Sequence, residues 1–234
     1  MKPEQKTTSS KGPGVRKMFD SIAARYDLMN RLMTLGQDQR WRKFAVEKAH
    51  VPAAGRVLDL ACGTGDIAAL IAQQHPAAQV VGADFSRPML AYAARRAGQH
   101  ISWLVGDANQ LPCQAHRFDA VTFGYLLRNV DTPLIVLQEV YRVLKAGGMV
   151  VCLDTTPPEK NLLYPLIRFH LRYTIPLLGR MIARDQEAYG YLTDSTMDFY
   201  RAEKLADLFR QAGFTAIGYK KFMLGTIAIH WGMK

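Results

Sequence analysis

The chain has 234 residues, 49 % of them apolar and 21 % charged, the balance of a folding, water-soluble domain rather than a disordered chain. Lys and Arg number 30 against 20 Asp and Glu, a surplus of +10 that avoids the middle of the chain: residues 1–56 carry 12 basic and 5 acidic side chains, residues 57–156 carry 7 and 8, and residues 157–234 carry 11 and 7. Basic flanks around a near-neutral centre fit a polyanion such as RNA or an anionic membrane surface, with a solvated face that meets no partner as the alternative. Cys62, Cys113 and Cys152 form no CxxC pair and no even set, which excludes a disulfide scaffold and a cysteine zinc site; reduced, cytosolic thiols are expected. No apolar run reaches the ~18 residues of a membrane span. The first 14 residues, MKPEQKTTSSKGPG, lack the apolar segment of a secretory leader and read as a disordered basic tail.

Along the chain, residues 15–50 read as an N-terminal helical cap. A core over 56–156 then alternates apolar runs with helical patterns. RVLDLA (56–61), AQVVGAD (78–84), ISWLVGDA (101–108), FDAVTFGY (118–125) and MVVCLD (149–154) read as strands, with helices at 67–74, 89–98 and 133–148 between them. The last of these helices carries Leu134, Leu137, Val140, Tyr141 and Leu144 on one face, Pro133 at its start and Gly147 at its end. Strands separated by helices predict an α/β fold, a doubly wound and mostly parallel sheet. Residues 157–200 read as a long helical lid rich in Leu, Ile, Arg and Tyr; residues 203–211 as a further helix; TAIGYKKF and GTIAIHWGMK as a terminal antiparallel hairpin that raises the strand count to seven. Residues 15–234 are expected to form one domain.

The sharpest local signal is Asp59-Leu-Ala-Cys-Gly63-Thr64-Gly65-Asp66, between a strand and a helix. Glycines there let the backbone turn tightly and approach a ligand. With Ala68 the spacing also matches the dinucleotide fingerprint, so NAD is a competing ligand. The carboxylates of Asp59 and Asp66 weigh against it, because a pyrophosphate at the helix N-terminus would be repelled, whereas S-adenosylmethionine carries an ammonium and a sulfonium and no phosphate. Asp84 closes the second strand, where a carboxylate can accept both hydroxyls of a ribose; Asp107 and Ala108 close the third, where a side chain and a backbone N–H can read an adenine edge.

With these residues in view, the chain resembles the class I S-adenosylmethionine-dependent methyltransferases, in VLDLACGTGD, Asp84 and Gly106-Asp107-Ala108. Further segments resemble the ubiquinone/menaquinone biosynthesis C-methyltransferase family: Met18 to Ala23, Tyr26-Asp-Leu-Met-Asn30 with Trp41, Leu127-Arg-Asn-Val130, Tyr141-Arg-Val-Leu-Lys145 and Ala228-Ile-His-Trp-Gly232. The resemblance runs from about residue 15 to 234. It implies a Rossmann-like sheet, cofactor contacts at Thr64, Asp84, Asp107, Ala108 and Gly124, and methyl transfer to a ring carbon of a polyprenyl hydroquinone. Thr34, Asp38, Ala146, Asp154 and Thr156 depart from the family pattern.

A ring carbon becomes a good nucleophile when a ring hydroxyl loses its proton. Arg128 is the candidate for lowering that hydroxyl's pKa, by ~1–3 units, with Asn129 holding the second oxygen and Tyr26 orienting a hydroxyl or relaying its proton. The base that restores aromaticity stays open among Tyr26, Asp27, His170 and water. Phe85 and Tyr125 are candidates for cation–π contact with a sulfonium. No metal is called for. The expected partners are a polyprenyl quinol and, through the basic flanks and the cationic apolar segment 168–180, the inner face of a membrane; nucleic acid is not expected, and a homodimer stays open. An RNA methyltransferase and a non-catalytic lipid- or cofactor-binding protein are the rival readings.

Overall fold

The computed structural model describes residues 12–22, 26–96, 98, 100–159, 162–174, 177 and 186–234. Of the expected tail, residues 1–11 lie outside these; residues 12–14 open helix α1 (Gly12–Ile22). Helices α2 (Tyr26–Met33) and α3 (Asp38–Lys48) precede the first strand. The core then runs β1 (Arg56–Leu60), α4 (Asp66–Gln74), β2 (Gln79–Asp84), α5 (Arg87–Arg96), β3 (Ile101–Val105), β4 (Phe118–Gly124), α6 (Pro133–Val143) and β5 (Leu144–Thr155). Helices α7 (Tyr164–Phe169), α8 (Gln186–Met197) and α9 (Ala202–Gln211) lead to β6 (Thr215–Phe222) and β7 (Ile227–Met233).

The seven strands form one sheet in the order β3-β2-β1-β4-β5-β7-β6. Pairs from β3 through β5 are parallel; β7 lies antiparallel between β5 and β6. The central strands read as continuous apolar runs because both of their faces are buried. Leu58, Val121 and Phe123 face one layer, against Leu137 and Val140 of α6 and Phe209 of α9. Val57, Ala120 and Val151 face the other, against Ile67 and Ile71 of α4 and Trp41 of α3. The period-2 alternation of side chains thus supplies two cores from one sheet.

Two expected elements differ. The helix predicted over 133–148 stops at Val143, and Leu144 is already extended, paired with Phe118 of β4. Leu144 continues the helical stripe in sequence, but the sheet edge claims its backbone. The helical stretch predicted over 157–200 is divided: Pro165 sits in the first turn of α7, a π-turn follows over His170–Thr174, and α8 begins at Gln186. Of the segment 168–180, residues 175, 176 and 178–180 lie outside the described residues.

Asp59 bolts three elements together. It is 1 % exposed, and its carboxylate accepts the Ala68 N–H of α4 at 3.0 Å and the Thr122 hydroxyl of β4 at 2.8 Å. Burial pushes its carboxyl up to about 7. His230, buried on β7, shares a 2.8 Å hydrogen bond with the Ala202 carbonyl at the start of α9 and stacks on Tyr219; burial pushes its imidazole down to about 4. The histidine of the terminal segment therefore anchors α9 to the sheet.

These two groups give opposed pH dependences. Asp59 stabilises the fold at low pH and loses that contribution as pH rises from about 4 towards 7. His230 contributes above about 6.5 and loses it as pH falls towards 4. Compared with wild type, denaturant unfolding over this range should show a slope of stability against pH that is more positive in Asp59→Asn and more negative in His230→Gln, by up to about 1.4 kcal/mol per pH unit. Slopes in both variants equal to wild type would contradict the assignment.

Candidate active site

The chain leaves β1 towards β2 on one side of the sheet and leaves β4 towards β5 on the other. Such a switch point opens a crevice at the carboxyl ends of the parallel strands. Here it is an open cleft enclosing about 820 Å³. Its floor comes from Ala61 and Gly63 beyond β1 and from Gly124 and Tyr125 beyond β4; Asp84, Phe85, Asp107 and Ala108 wall it. Val15 and Phe19 of α1 and Tyr26 of α2 roof it.

Asp84 is fixed by backbone. One carboxylate oxygen accepts the Gly63 N–H and the other the Ser86 N–H, each at 2.8 Å, and its own carbonyl accepts the Gly106 N–H at 3.0 Å. Burial raises its pKa, while the N–H donors oppose that rise. A lone pair remains on each oxygen for a diol. Asp107 accepts both the backbone and the amide N–H of Asn109 at 2.8 Å, which orders the β3 edge of the cleft. Gly65 does not line the cleft. It adopts φ +82°, and a Cβ there would stand 2.8 Å from the Trp103 ring, so glycine is required for packing. Asp59 lies beneath the turn with both oxygens engaged, lining a smaller recess with Arg42, Asp66 and Tyr26.

The Thr64 hydroxyl donates to Asp27 of α2 at 2.6 Å, and Asp27 also pairs with Arg96 of α5. The Ser86 hydroxyl donates to Asp20 of α1, and the Met89 N–H donates to Ser86 Oγ, which caps α5. Two carboxylates of the N-terminal helices thus strap the roof to the cleft. Asp66 is not the open negative charge that its sequence position implies: Arg42 and Arg96 both pair with it. Arg42 also reaches Asp38 at 3.2 Å. With Asp27, Asp38 and Asp66 against Arg42 and Arg96, the cluster keeps one carboxylate in excess.

A second, larger cavity of about 1250 Å³ lies on the other side of Tyr125. Apolar side chains such as Ile167, Leu192, Met223 and Ile227 line most of it, interrupted by threonines at 155, 193, 196 and 226. Arg128 contributes its cation. It sits in a 3-10 turn (Leu127–Asn129) after β4 and is buried. Its Nη1 reaches Asp154 Oδ1 at 3.1 Å, its guanidinium stands 4.8 Å from the Tyr125 ring centre, and its Nε has no hydrogen-bond partner among the described residues. Asn129 donates to the Tyr125 carbonyl at 2.7 Å and accepts the Tyr191 hydroxyl at 3.2 Å, which leaves one amide hydrogen uncommitted. Burial raises the Tyr26 hydroxyl's pKa, and Arg128, close enough to act on it, pulls it back.

Tyr125 borders both cavities. Its φ of +59° is a left-handed conformation that costs a non-glycine residue ~1–2 kcal/mol, and the Asn129 amide holds its carbonyl in place. Sequence reasoning brought Tyr26, Gly63, Asp84, Phe85, Asp107, Ala108, Gly124 and Asn129 to one cleft, whereas Thr64 lines the smaller recess and Arg128 the larger cavity. It missed Arg42, whose signal was a cation on the buried face of α3 beside Trp41, Ala45 and Val46. It missed the carboxylate straps because their partners lie 37 and 66 residues away. Of the candidate bases, Asp27 is tied to Thr64 and Arg96, whereas His170 lines the larger cavity.

The cleft fits S-adenosylmethionine: a fixed acceptor pair for the ribose at Asp84, glycine backbone where bulk would intrude, and a net negative cluster beside the turn. The sequence pattern of the ubiE/COQ5 methyltransferase family matches residues 4–234. The chain is 66 % identical over 235 residues to the ubiquinone/menaquinone biosynthesis C-methyltransferase UbiE of Desulfotalea psychrophila, covering 100 % of this chain and 96 % of that one. It is 43 % identical over 218 residues to the demethylmenaquinone methyltransferase of Thermus thermophilus, covering 92 % and 99 %. In fold it is similar to the [4+2]-cyclase SpnF, with TM-score 0.70, 18 % identity and coverage of 97 % and 96 %. It is similar also to phosphoethanolamine N-methyltransferase 2 of Haemonchus contortus in complex with S-adenosyl-L-methionine, with TM-score 0.61, 15 % identity and coverage of 83 % and 52 %. Matched over nearly its whole length, the chain belongs to the ubiE/COQ5 methyltransferase family.

Proposed function

We propose that the chain methylates a ring carbon of a polyprenyl hydroquinone, with demethylmenaquinol to menaquinol as the foremost reaction, at the wall shared by its two cavities. The observation that carries this reading is the meeting at Tyr125 of a cleft walled by Asp84 and Asp107 and a large apolar cavity holding a buried cation. The names of the relatives support the quinone ring as acceptor.

S-adenosylmethionine, when bound, supplies an electrophilic methyl group on a sulfonium. Asp84 would hold its ribose, the Asp107–Asn109 edge its adenine, and the turn from Cys62 to Thr64 its amino-acid end. The remaining chemistry falls to the chain. Arg128 faces a ring oxygen and stabilises the phenolate, which raises electron density on the adjacent ring carbon. Pairing with Asp154 reduces the field that Arg128 exerts but fixes its direction. The uncommitted Asn129 amide hydrogen holds the second ring oxygen. Tyr26, kept protonated by burial, orients a ring oxygen and passes its proton outward. His170, which lines the same cavity as Arg128, is our candidate for taking the ring hydrogen that leaves after transfer. The prenyl tail lies along the apolar side chains of the cavity.

No helix among the described residues is long and apolar enough to cross a membrane. The enzyme meets its lipid-borne substrate at the inner face of the membrane, through its positive flanks, as a peripheral protein. Residues 15–234 act as one catalytic unit.

Incubation with radiolabelled S-adenosylmethionine should move label into demethylmenaquinol and none into RNA; label in RNA alone would contradict the reading. Asp84→Ala should abolish donor binding measured by calorimetry. Arg128→Ala strands Asp154 in the interior, so the informative variant is Arg128→Ala/Asp154→Asn. That variant should keep donor affinity and lose ~10–1000-fold in kcat, the loss restored in part by raising pH. Equal loss of donor binding in both variants would remove Arg128 from this role.

A further inference from the structure

A polyprenyl tail must travel from a bilayer into the larger cavity, and the rim of that cavity is unusual. Leu166 of α7 and Leu224 of the β6–β7 turn line the cavity and are still 65 % and 59 % exposed. Met33 and Thr34 line it from the end of α2, and the next residue, Leu35, is 83 % exposed. Before and along α7, Leu162 is 95 % exposed and Phe169 and Tyr173 more than half exposed. Leu35 and Leu224 share a second peculiarity: φ is +52° and +54°. A leucine in that conformation carries strain that glycine or asparagine would relieve, and here the strain serves to hold an apolar side chain out in water. Exposed apolar groups gathered at one cavity mouth mark a binding surface.

Charge identifies the occupant. Between Glu159 and Asp185 the sequence contains no carboxylate and five cations, Lys160, Arg168, Arg172, Arg180 and Arg184. Arg168 and Arg172 are exposed beside Phe169 and Tyr173, and Arg31 is exposed on α2. Apolar side chains interleaved with arginines match the boundary between acyl chains and anionic headgroups.

We propose that the mouth of the larger cavity is a membrane port. Leu35, Leu162, Leu166, Phe169 and Leu224 enter the acyl boundary of an anionic bilayer, and Arg31, Arg168 and Arg172 meet lipid phosphates. The tail then passes into the cavity without crossing water. The route of the tail rests on the quinol reading; the docking itself does not.

The test is co-sedimentation of the full chain, without donor or quinol, on phosphatidylcholine vesicles with and without phosphatidylglycerol. Binding should require the anionic lipid and weaken with salt. Leu35→Asn/Leu162→Gln/Phe169→Gln, none of which lines the cavity, should bind at least about tenfold more weakly. The variant should keep wild-type affinity for S-adenosylhomocysteine and wild-type turnover of a one-isoprene quinol in solution. Wild-type protein that ignores anionic vesicles, or a variant that binds them as tightly as wild type, would overturn the port. So would a solution dimer that the variant converts to monomer, which would assign the face to a second copy. Vesicle binding lost in the variant, with no turnover of quinol by either protein, would uphold the port and reject the quinol reading.

Discussion

The cleft depends on a single carboxylate held by backbone donors. Asp84 joins the turn after β1 through Gly63, its own helix through Ser86 and the end of β3 through Gly106. Three strand ends are therefore positioned by one residue, and that residue lines the cleft. Backbone donors are a rigid choice, because they carry no rotamer freedom of their own. They also offset the cost of burying the charge.

The roof is attached by the same economy of contacts. Asp20 and Asp27 reach down from α1 and α2 to Ser86 and Thr64, residues that belong to the cleft itself. The same contacts therefore hold both the roof and the turn after β1. Arg42 and Arg96 hold the third carboxylate, Asp66, at the start of α4. These contacts make the N-terminal helices part of the site rather than an appendage to it. Of the two arginines, Arg96 is the more exposed.

What the sequence revealed follows from the range of each signal. Strands and their ends were legible because apolar runs and the Gly63–Gly65 turn are local. Asp84 and Asp107 were legible because each closes such a run. The stop of α6 at Val143 was not, because Leu144 satisfies the helical stripe and only its pairing with Phe118 decides otherwise. Asp66 was misread as an open charge because its partners, Arg42 and Arg96, lie 24 and 30 residues away. Arg128 was located, but its buried pairing with Asp154 follows from sheet order, which brings β5 beside β4. The left-handed leucines at 35 and 224 leave no trace in composition, since they contradict local preference.

Tyr125 is where these pieces converge: a strained residue between two cavities, braced by Asn129 and facing Arg128. The most direct measurement is a crystal structure of the chain with S-adenosylhomocysteine and a demethylnaphthoquinol bearing one isoprene unit. The sulfur should lie in the Asp84 cleft and the ring across Tyr125 with one oxygen facing Arg128, its acceptor carbon turned towards the sulfur. A quinol ring bound elsewhere, with the larger cavity holding solvent, would contradict the shared wall as the place of reaction.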